Sequence, residues 1–413
     1  MKKIIDWMTN VFAPKANKIT KNPWIGAIQE AMTTVMPMIL VGSLVTIFAI
    51  FEEYIPGFPD IWPISSFSFG LASIFVAFFI PYLLLEKKKK HKLKKQAGMI
   101  GIAFFLMLVF PTFNDEGEII IEFAKLGSGG MFAAIVGGLF VAFVMDKFSK
   151  FSLFKEDTIM PPFLVEGFDS IAPTFLILGI GWVAMFIFNI NLYEGIYWVL
   201  SPLVNMSQSF WGFVLIMLIQ AFLYSFGISS WVLEPLYVPI GLQAVGQNAA
   251  DLARGIDPSL ILTNETLQGW VWIGGAGSTL MLSVFMLFTK SKRLRAIGRS
   301  SIIPSLCNIN EPLVYGAPIV FNPMLMVPMW ISGIVVPAIT YLSFQVGWVS
   351  IPTKPFALWY LPVGIQTWLI NGDLNGLILL TVSLAATGVI YYPFLKVYDN
   401  QIYKEELLKV EES

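Results

Sequence analysis

Apolar stretches long enough to cross a membrane recur along this chain, and they constrain its fold more than any other feature, since a spanning helix needs about 20 mostly apolar residues. We predict spans near residues 31–51, 67–85, 97–112, 130–145, 163–188, 211–229, 270–289, 324–345 and 374–395. Hydrophobic residues make up 56% of the chain and charged residues 13%, far from the usual composition of soluble domains. The sequence therefore predicts an all-α polytopic membrane protein.

Charged residues between the spans predict how the chain is oriented. Basic residues precede the first span and follow the second, in KKKKHKLKK (87–95), whereas the loops 52–66 and 113–126 are acidic. Cytoplasmic loops carry the excess of Lys and Arg, so the N-terminus is predicted to be cytoplasmic. The basic residues between 290 and 299 return the chain to the cytoplasm, which requires one more crossing, assigned to the short segment 231–247. The count is then about ten spans, with both termini cytoplasmic.

Two later segments are too interrupted to be simple spans. They are residues 301–322 and 348–370, and each contains three prolines. Proline breaks a helix, and broken backbone persists at membrane depth only where protein or a water-filled cavity covers it. Both segments are therefore predicted to be re-entrant hairpins that line a polar site.

Glu311, in the first of these hairpins, is the leading candidate for a functional residue. A carboxylate at membrane depth is costly and is by default a functional hypothesis. Asn308 and Asn310 lie within three residues of it, and Asn322 closes the hairpin. A carboxylate and several amides are the groups that pair with vicinal sugar hydroxyls. The alternative is that Glu311 only caps a broken half-helix, where a negative charge is favoured by the helix dipole.

Glu234, in GISSWVLEP (227–235), is the second carboxylate predicted at membrane depth, and it too is followed by proline. It is interpreted either as part of the site or as an interfacial residue at a helix end.

Two other motifs resemble known functional motifs but do not indicate a function here. GGAGST (274–279) lacks the lysine of a phosphate-binding loop, and close packing of small residues along a span explains it better. The tripeptide Asn264-Glu265-Thr266 formally fits an N-glycosylation acceptor, but the chain shows no secretory signal.

The scarcity of Cys and His excludes several kinds of site. The chain has one cysteine, Cys307, and one histidine, His91, which lies within the lysine run. A disulfide framework, a thiolate zinc site and a histidine-based metal site are therefore not expected. No metal, cofactor or nucleic-acid partner is predicted.

The segment NINEPLVYGAPIVFNP (308–323) resembles the membrane subunit, enzyme IIC, of phosphoenolpyruvate-dependent sugar permeases of the phosphotransferase system, in the lactose/cellobiose/diacetylchitobiose family. The similarity runs along the whole chain. It includes NPWIGAIQEAMTTVMPMILVGSL (22–44), MPPFLVEGFDSIAPTFL (160–176), WIGGAGSTL (272–280) and YYPFLKVYD (391–399).

This resemblance implies an elevator-type fold and a homodimer embedded in membrane lipid. It implies an oligomerisation domain at residues 1–205 and a sugar-binding transport domain at 206–413, which contains both hairpins. The subunit would import a sugar, such as a disaccharide or related glycoside, and a cysteine on a separate IIB protein would donate the phosphoryl group at the cytoplasmic face. The carboxylate at Glu311 would bind the sugar near the accepting hydroxyl and act as its general base, with the asparagines orienting the sugar or the hairpin.

The sequence departs from the family pattern at one element that contacts the sugar. A histidine is common in a GIHG-like element after the sixth span, whereas this chain has Ser229 at that position. Ser229, Ser230 and Glu234 are therefore predicted to line the pocket in place of the imidazole. The competing hypothesis is an ion-coupled secondary sugar transporter that does not phosphorylate its substrate, since broken helices with a buried carboxylate also suit ion coupling.

Overall fold

The computed structural model describes residues 22–411, except 49–50, 52–54, 56, 153, 155–159, 230–232 and 317–318. These residues are mainly helical, and they include a two-stranded antiparallel ladder of β1 (Thr112–Phe113) and β2 (Ile119–Ile120). By their internal packing they form two compact units, which divide between residues 203 and 204. Each unit is described in turn.

The first unit is an assembly of helices joined by short turns. Its helices are α1 (Pro23–Phe48), α2 (Trp62–Ser66), α3 (Ala72–Lys87), α4 (Lys94–Leu108), α5 (Met131–Phe148), α6 (Pro162–Trp182) and α7 (Leu192–Gln208), the last of which crosses the division. A π-helical turn, Val183–Ile187, extends α6. Helices α3, α4 and α5 pack closely because small residues lie between them. A Cβ added at Gly101 would lie 2.2 Å from the carbonyl oxygen of Ala77, so only glycine permits that contact.

Three lysines of the run 87–95, which was used above to orient the chain, have carboxylate partners in this unit. Lys88 pairs with Asp146 at 2.6 Å and Lys94 with Glu86 at 2.6 Å, and Lys87 contacts Glu30. The pairs join the ends of α1, α3, α4 and α5, so the basic residues also fix how these helices meet.

The second unit contains the two segments predicted to be hairpins. Its helices are α8 (Phe210–Ser225), α9 (Glu234–Ala253), α10 (Asn264–Thr266), α11 (Leu280–Met286), α12 (Lys292–Leu306), α13 (Glu311–Gly316), α14 (Pro323–Gln345), α15 (Ile365–Asn371) and α16 (Leu374–Glu411). A π-helical turn, Leu267–Val271, follows α10. Tyr224, Leu282, Leu313, Met329 and Tyr391 belong to one buried core cluster. This cluster draws on α8, α11, α13, α14 and α16, so α13 is held inside the unit.

Six helical segments in the described part of the chain are long and apolar enough to cross a membrane. They are Pro23–Gly42, Trp62–Lys87, Ser128–Phe148, Pro162–Ile187, Pro323–Gln345 and Leu374–Leu408. A seventh is added if α7 and α8, which meet at an angle of 82°, count as one span. Other segments predicted as spans are shorter or more polar, so the higher count remains a prediction.

The predicted span at residues 270–289 is wrong as a continuous helix. A loop, residues 272–279, separates the π-helical turn from α11. Gly274, Gly275 and Gly277 adopt φ angles of 78°, 93° and 83°, in a left-handed region that interrupts a right-handed helix. The motif GGAGST therefore forms this glycine loop and does not pack along a helix face. The helices also break inside both predicted hairpins, at 307–310 and between α14 and α15.

Candidate functional site

Glu311 is the first residue of α13 and is half-buried. The backbone N–H groups of Leu313 and Val314 donate to the carbonyl oxygen of Asn310, at 3.0 and 2.8 Å, which starts the helix immediately before Glu311. Within the described part of the chain the Glu311 carboxylate accepts no hydrogen bond, although it interacts electrostatically with the hydroxyls of Tyr224 and Tyr315. A carboxylate held at a helix start, with its acceptor positions open, is suited to bind a hydroxyl group.

The side chain of Asn310 anchors the start of α13 to the glycine loop. Its side-chain nitrogen donates to the carbonyl oxygen of Ala276 and to the hydroxyl of Thr279, both at 2.9 Å. Its oxygen accepts from the hydroxyl of Tyr224 at 3.3 Å. Asn310 is 3% exposed, and both of its N–H donors are used inside the protein. The amide thus positions the backbone that carries Glu311.

Gly275 makes this contact possible. A Cβ added at Gly275 would lie 2.4 Å from Cγ of Asn310, which is closer than carbon atoms can approach. Two features therefore require glycine at position 275: the left-handed φ angle, and the side chain of Asn310, which leaves no space for a Cβ atom.

Asn308 joins the same hairpin to two other segments. Its side-chain oxygen accepts from the backbone N–H of Gly274 at 2.9 Å. Its nitrogen donates to Oε1 of Gln366 at 3.0 Å and to the carbonyl oxygen of Trp359 at 3.3 Å. Its own backbone is left-handed, with φ of 60°. The break between α12 and α13 is therefore tied both to the glycine loop and to the second interrupted segment.

Asn322 lies at the other end of the first hairpin, where it caps α14. Its side-chain oxygen accepts from the backbone N–H of Met324 at 3.1 Å, and its amide also bonds to Tyr398. This is the ordinary role of an N-cap asparagine. Its part in sugar binding stays a prediction.

The turn after α8, which carries Ser229, lies beside the exit of the first hairpin. The backbone N–H of Phe321 donates to the carbonyl oxygen of Ser225 at 3.1 Å, and the rings of Phe226 and Phe321 are 5.7 Å apart. Ser229 is exposed at the end of this turn. Ser230, the other serine predicted to line the pocket, lies outside the described residues.

Glu234 is the first residue of α9 and is partly buried. It acts electrostatically on Tyr237, whose hydroxyl accepts from the side chain of Gln220 at 3.5 Å. Gln220 in turn accepts from the indole N–H of Trp272 at 2.9 Å. Since Trp272 begins the glycine loop, α9 is connected to that loop through two side chains.

Two further polar residues of this region were not singled out from the sequence. Glu265, interpreted there only within a glycosylation motif, is 1% exposed, and its Oε1 accepts from the backbone N–H of Phe356 at 2.9 Å. Gln366, which contacts Asn308, is also 1% exposed. The rule that identified Glu311 and Glu234, a carboxylate within an apolar stretch, could have found Glu265. No comparable sequence signal exists for a glutamine.

The arrangement as a whole combines one half-buried carboxylate with a rigid polar frame. Asn308 and Asn310 are engaged with the protein, so Glu311 is the member of the NINEP motif whose side chain has free acceptor capacity among the described residues. Within those residues no group of three or more His, Cys, Asp or Glu side chains could hold a metal ion. The chemistry that Glu311 itself offers is to accept a hydrogen bond from a hydroxyl group.

Comparisons with known proteins agree with this picture. The family model for the phosphotransferase system EIIC matches residues 29–333. The chain is 30% identical to the putative permease IIC component YwbA of Bacillus subtilis, over 97% of this chain and 96% of the relative. It is 29% identical to the cellobiose-specific EIIC component of Geobacillus stearothermophilus, over 98% and 96%. The crystal structure of the transporter ChbC, the IIC component of an N,N'-diacetylchitobiose-specific phosphotransferase system, superposes with a TM-score of 0.86 at 27% identity, over 97% of this chain and 99% of ChbC.

The lactose-specific relatives are longer than this chain. The lactose-specific EIICB component of Lacticaseibacillus casei is 26% identical over the whole of this chain, which spans 73% of that protein. Six or seven apolar helical segments lie in the part of the chain that the structure describes, so the protein is a multi-pass membrane protein. The chain belongs to the EIIC family of the phosphotransferase system, the membrane components of its sugar permeases.

Proposed function

We propose that the protein imports a β-linked disaccharide or related glycoside, which a IIB protein phosphorylates during uptake. The names of the relatives support this class, since they include cellobiose-, lactose- and oligo-β-mannoside-specific components. The observation that carries the proposal is the half-buried carboxylate of Glu311, open to a ligand and held by Asn308 and Asn310.

Glu311 is proposed to bind the hydroxyl that accepts the phosphoryl group and to take up its proton. Phosphoryl transfer depends mainly on positioning and electrostatic stabilisation, and a carboxylate beside the attacking hydroxyl both orients it and accepts its proton. The bond between the IIB cysteine sulfur and phosphorus breaks as the bond between the sugar oxygen and phosphorus forms, and the hydroxyl proton passes to the carboxylate. Asn308, Asn310 and Asn322 hold the hairpin in place, and Ser229, Ser230 and Glu234 line the rest of the pocket.

The movement that carries the sugar is proposed to be an elevator motion. Residues 1–205 would form the interface of a homodimer and residues 206–413 the transport domain. The first hairpin is fixed to the glycine loop and to Gln366 by side-chain hydrogen bonds, which favours movement of the site as one body. Both termini are proposed to be cytoplasmic, because the basic residues between the spans would then face the cytoplasm.

The chemical identity of the product tests this function directly. Inverted membrane vesicles that carry the protein and are loaded with cellobiose should release cellobiose phosphate into the medium when a phosphorylated IIB partner is added outside, where the cytoplasmic face is exposed. An ion-coupled transporter, the competing hypothesis, would instead release unmodified sugar, and its uptake would depend on a pH or sodium gradient. The membership of the EIIC family favours the first outcome.

The substrate can be narrowed before any transport assay. Thermal unfolding of the purified protein should shift to higher temperature with the sugar that it binds, because a ligand of the folded state raises apparent stability. Cellobiose, lactose and diacetylchitobiose are the first to test, with their monosaccharides as controls. If none of these sugars shifts the transition, the proposed substrate class is wrong.

A further inference from the structure

Three buried polar atoms on α15 and on the helical segment from α10 to the π-helical turn after it have no hydrogen-bond partner among the described residues. They are Nε2 of Gln366, Oε2 of Glu265 and Oε1 of Gln268. Gln366 and Glu265 are each 1% exposed. Buried polar groups are almost always paired in proteins, because an unpaired one loses its hydrogen bonds to water without replacement. Oδ1 of Asn264, next to Glu265, is unpaired as well, and unpaired atoms on two neighbouring elements indicate that something else satisfies them.

The orientation of Gln366 is set by its neighbours. Its Oε1 accepts from Asn308 at 3.0 Å, so the two hydrogens on Nε2 are left to point elsewhere. The next residue, Thr367, donates through its hydroxyl to the carbonyl oxygen of Gly269 at 2.9 Å. Helix α15 is therefore held both to the first hairpin and to the π-helical turn after α10.

Glu265 lies in α10, and Gln268 lies in the π-helical turn that follows it. They are three residues apart in a helical segment, which places them on one side of it. Oε1 of Glu265 is occupied by the backbone N–H of Phe356, at 2.9 Å, and this contact leaves Oε2 as the open atom. The contact between Thr367 and Gly269 brings this turn against α15, which carries Gln366. One open donor and two open acceptors thus lie on two elements in contact.

The combination of a donor and acceptors is suited to a particular kind of ligand. A sugar hydroxyl both donates and accepts, so it can bond to the amide nitrogen of a glutamine and to a carboxylate oxygen. A site that offers hydrogen bonds to a substrate hydroxyl strongly rejects analogues that lack it, because its own polar groups are then left unpaired. Such a site would decide which sugar is accepted.

We propose that Gln366 and Glu265 form a second contact point for the sugar, which binds a hydroxyl other than the one at Glu311 and thereby determines specificity. This inference rests on the proposed function, since it takes the ligand to be the transported sugar. Gln366 is connected to the hairpin of Glu311 through Asn308, so the two contact points belong to one frame. Glu311 would bind the hydroxyl that reacts, and Gln366 would bind a different hydroxyl and so recognise the sugar.

The test compares sugars as well as variants. Binding of cellobiose and of its monodeoxy analogues to the purified protein is measured by calorimetry for the wild type, Gln366→Met and Gln366→Glu. Gln366→Met removes the donor at similar size, and Gln366→Glu keeps an oxygen for Asn308. Gln345→Met, at an exposed position at the end of α14, is the matched control.

We expect Gln366→Met to weaken cellobiose binding at least tenfold. Its affinity for one monodeoxy analogue should equal that of the wild type within twofold, because that analogue lacks the hydroxyl that Gln366 binds. If Gln366→Met loses affinity equally for every sugar, Gln366 has a structural role only. If its affinity for cellobiose is unchanged, water alone satisfies Gln366. Either result overturns the inference. If Gln366→Met does not fold, the same comparison with Gln366→Glu decides the question.

Failure of the proposed function would look different. In that case the wild type and Gln345→Met would also bind none of the sugars. If both bind cellobiose and form its phosphate while the Gln366 variants match them across the panel, only this further inference is wrong.

Discussion

The side-chain nitrogen of Asn310 lies 2.9 Å from the hydroxyl oxygen of Thr279, and the two residues are 3% and 0% exposed. This buried hydrogen bond joins the start of α13 to the end of the glycine loop. Since Glu311 follows Asn310 directly, the position of the candidate sugar-binding carboxylate depends on a contact that the sugar does not make. The site can therefore fail by displacement as well as by loss of Glu311.

Replacing Asn310 with leucine should both destabilise the protein and impair sugar binding. The change leaves the carbonyl oxygen of Ala276 and the hydroxyl of Tyr224 without the partner that Asn310 provides, and each unpaired buried group costs about 1–3 kcal/mol. We expect thermal unfolding several degrees lower and sugar affinity reduced at least tenfold. Asn191→Ala, which removes a side-chain contact at the start of α7, is the control for a general loss of a polar side chain. Wild-type affinity in Asn310→Leu would contradict the anchoring role.

Gly275→Ala should be more damaging than the same change at another left-handed glycine. At Gly275 the new methyl group would collide with the side chain of Asn310, 2.4 Å away. Gly117 has a φ of 80°, and a Cβ added there would meet nothing within 4 Å, so Gly117→Ala adds backbone strain of about 1 kcal/mol without a collision. Sugar binding measured for both variants separates the two effects. Equal behaviour of the two would mean that strain alone governs position 275.

Glu406 in α16 should stabilise the basic segment that begins α12. Its carboxylate accepts from the hydroxyl of Ser291 at 2.7 Å and from the backbone N–H groups of Lys292 and Arg293, both at 3.0 Å. Solvent reaches this carboxylate, so we expect Glu406→Ala to lower the free energy of unfolding by only about 1 kcal/mol. Glu405→Ala, at the neighbouring exposed position, should have no measurable effect. Thermal unfolding of both variants in one detergent measures the effect. Equal stability of the two variants would argue against the stabilising role of Glu406.

Much of the helical pattern could be predicted from the sequence, because it follows from long apolar runs and from the places where proline interrupts them. The boundaries of α14 agree with prediction to one residue, as 323–345 against 324–345. The prediction of a continuous span at 270–289 was wrong because the sequence pattern does not distinguish two cases. The glycines of an apolar run can pack along a helix, or they can adopt left-handed φ angles and break it. Only the three-dimensional contact with Asn310 distinguishes these two uses of Gly275.

The site was predictable in part for the same kind of reason. Glu311 could be identified because a carboxylate is rare in an apolar segment. The hydrogen bonds of Asn308 and Asn310 could not, because they depend on residues that are about 30 to 90 positions away in the chain. The pairing of Gln366 with Asn308 likewise spans 58 positions, and no local pattern marks a glutamine as an open donor.

Replacing Glu311 with glutamine tests the central claim most directly. The variant keeps the size of the side chain and one acceptor oxygen but removes the negative charge and the ability to take up a proton. With a phosphorylated IIB partner, the account predicts that sugar affinity falls at least tenfold and that formation of sugar phosphate falls at least a hundredfold, while thermal stability without sugar stays within two degrees of the wild type. Wild-type binding together with wild-type formation of sugar phosphate in Glu311→Gln would contradict it.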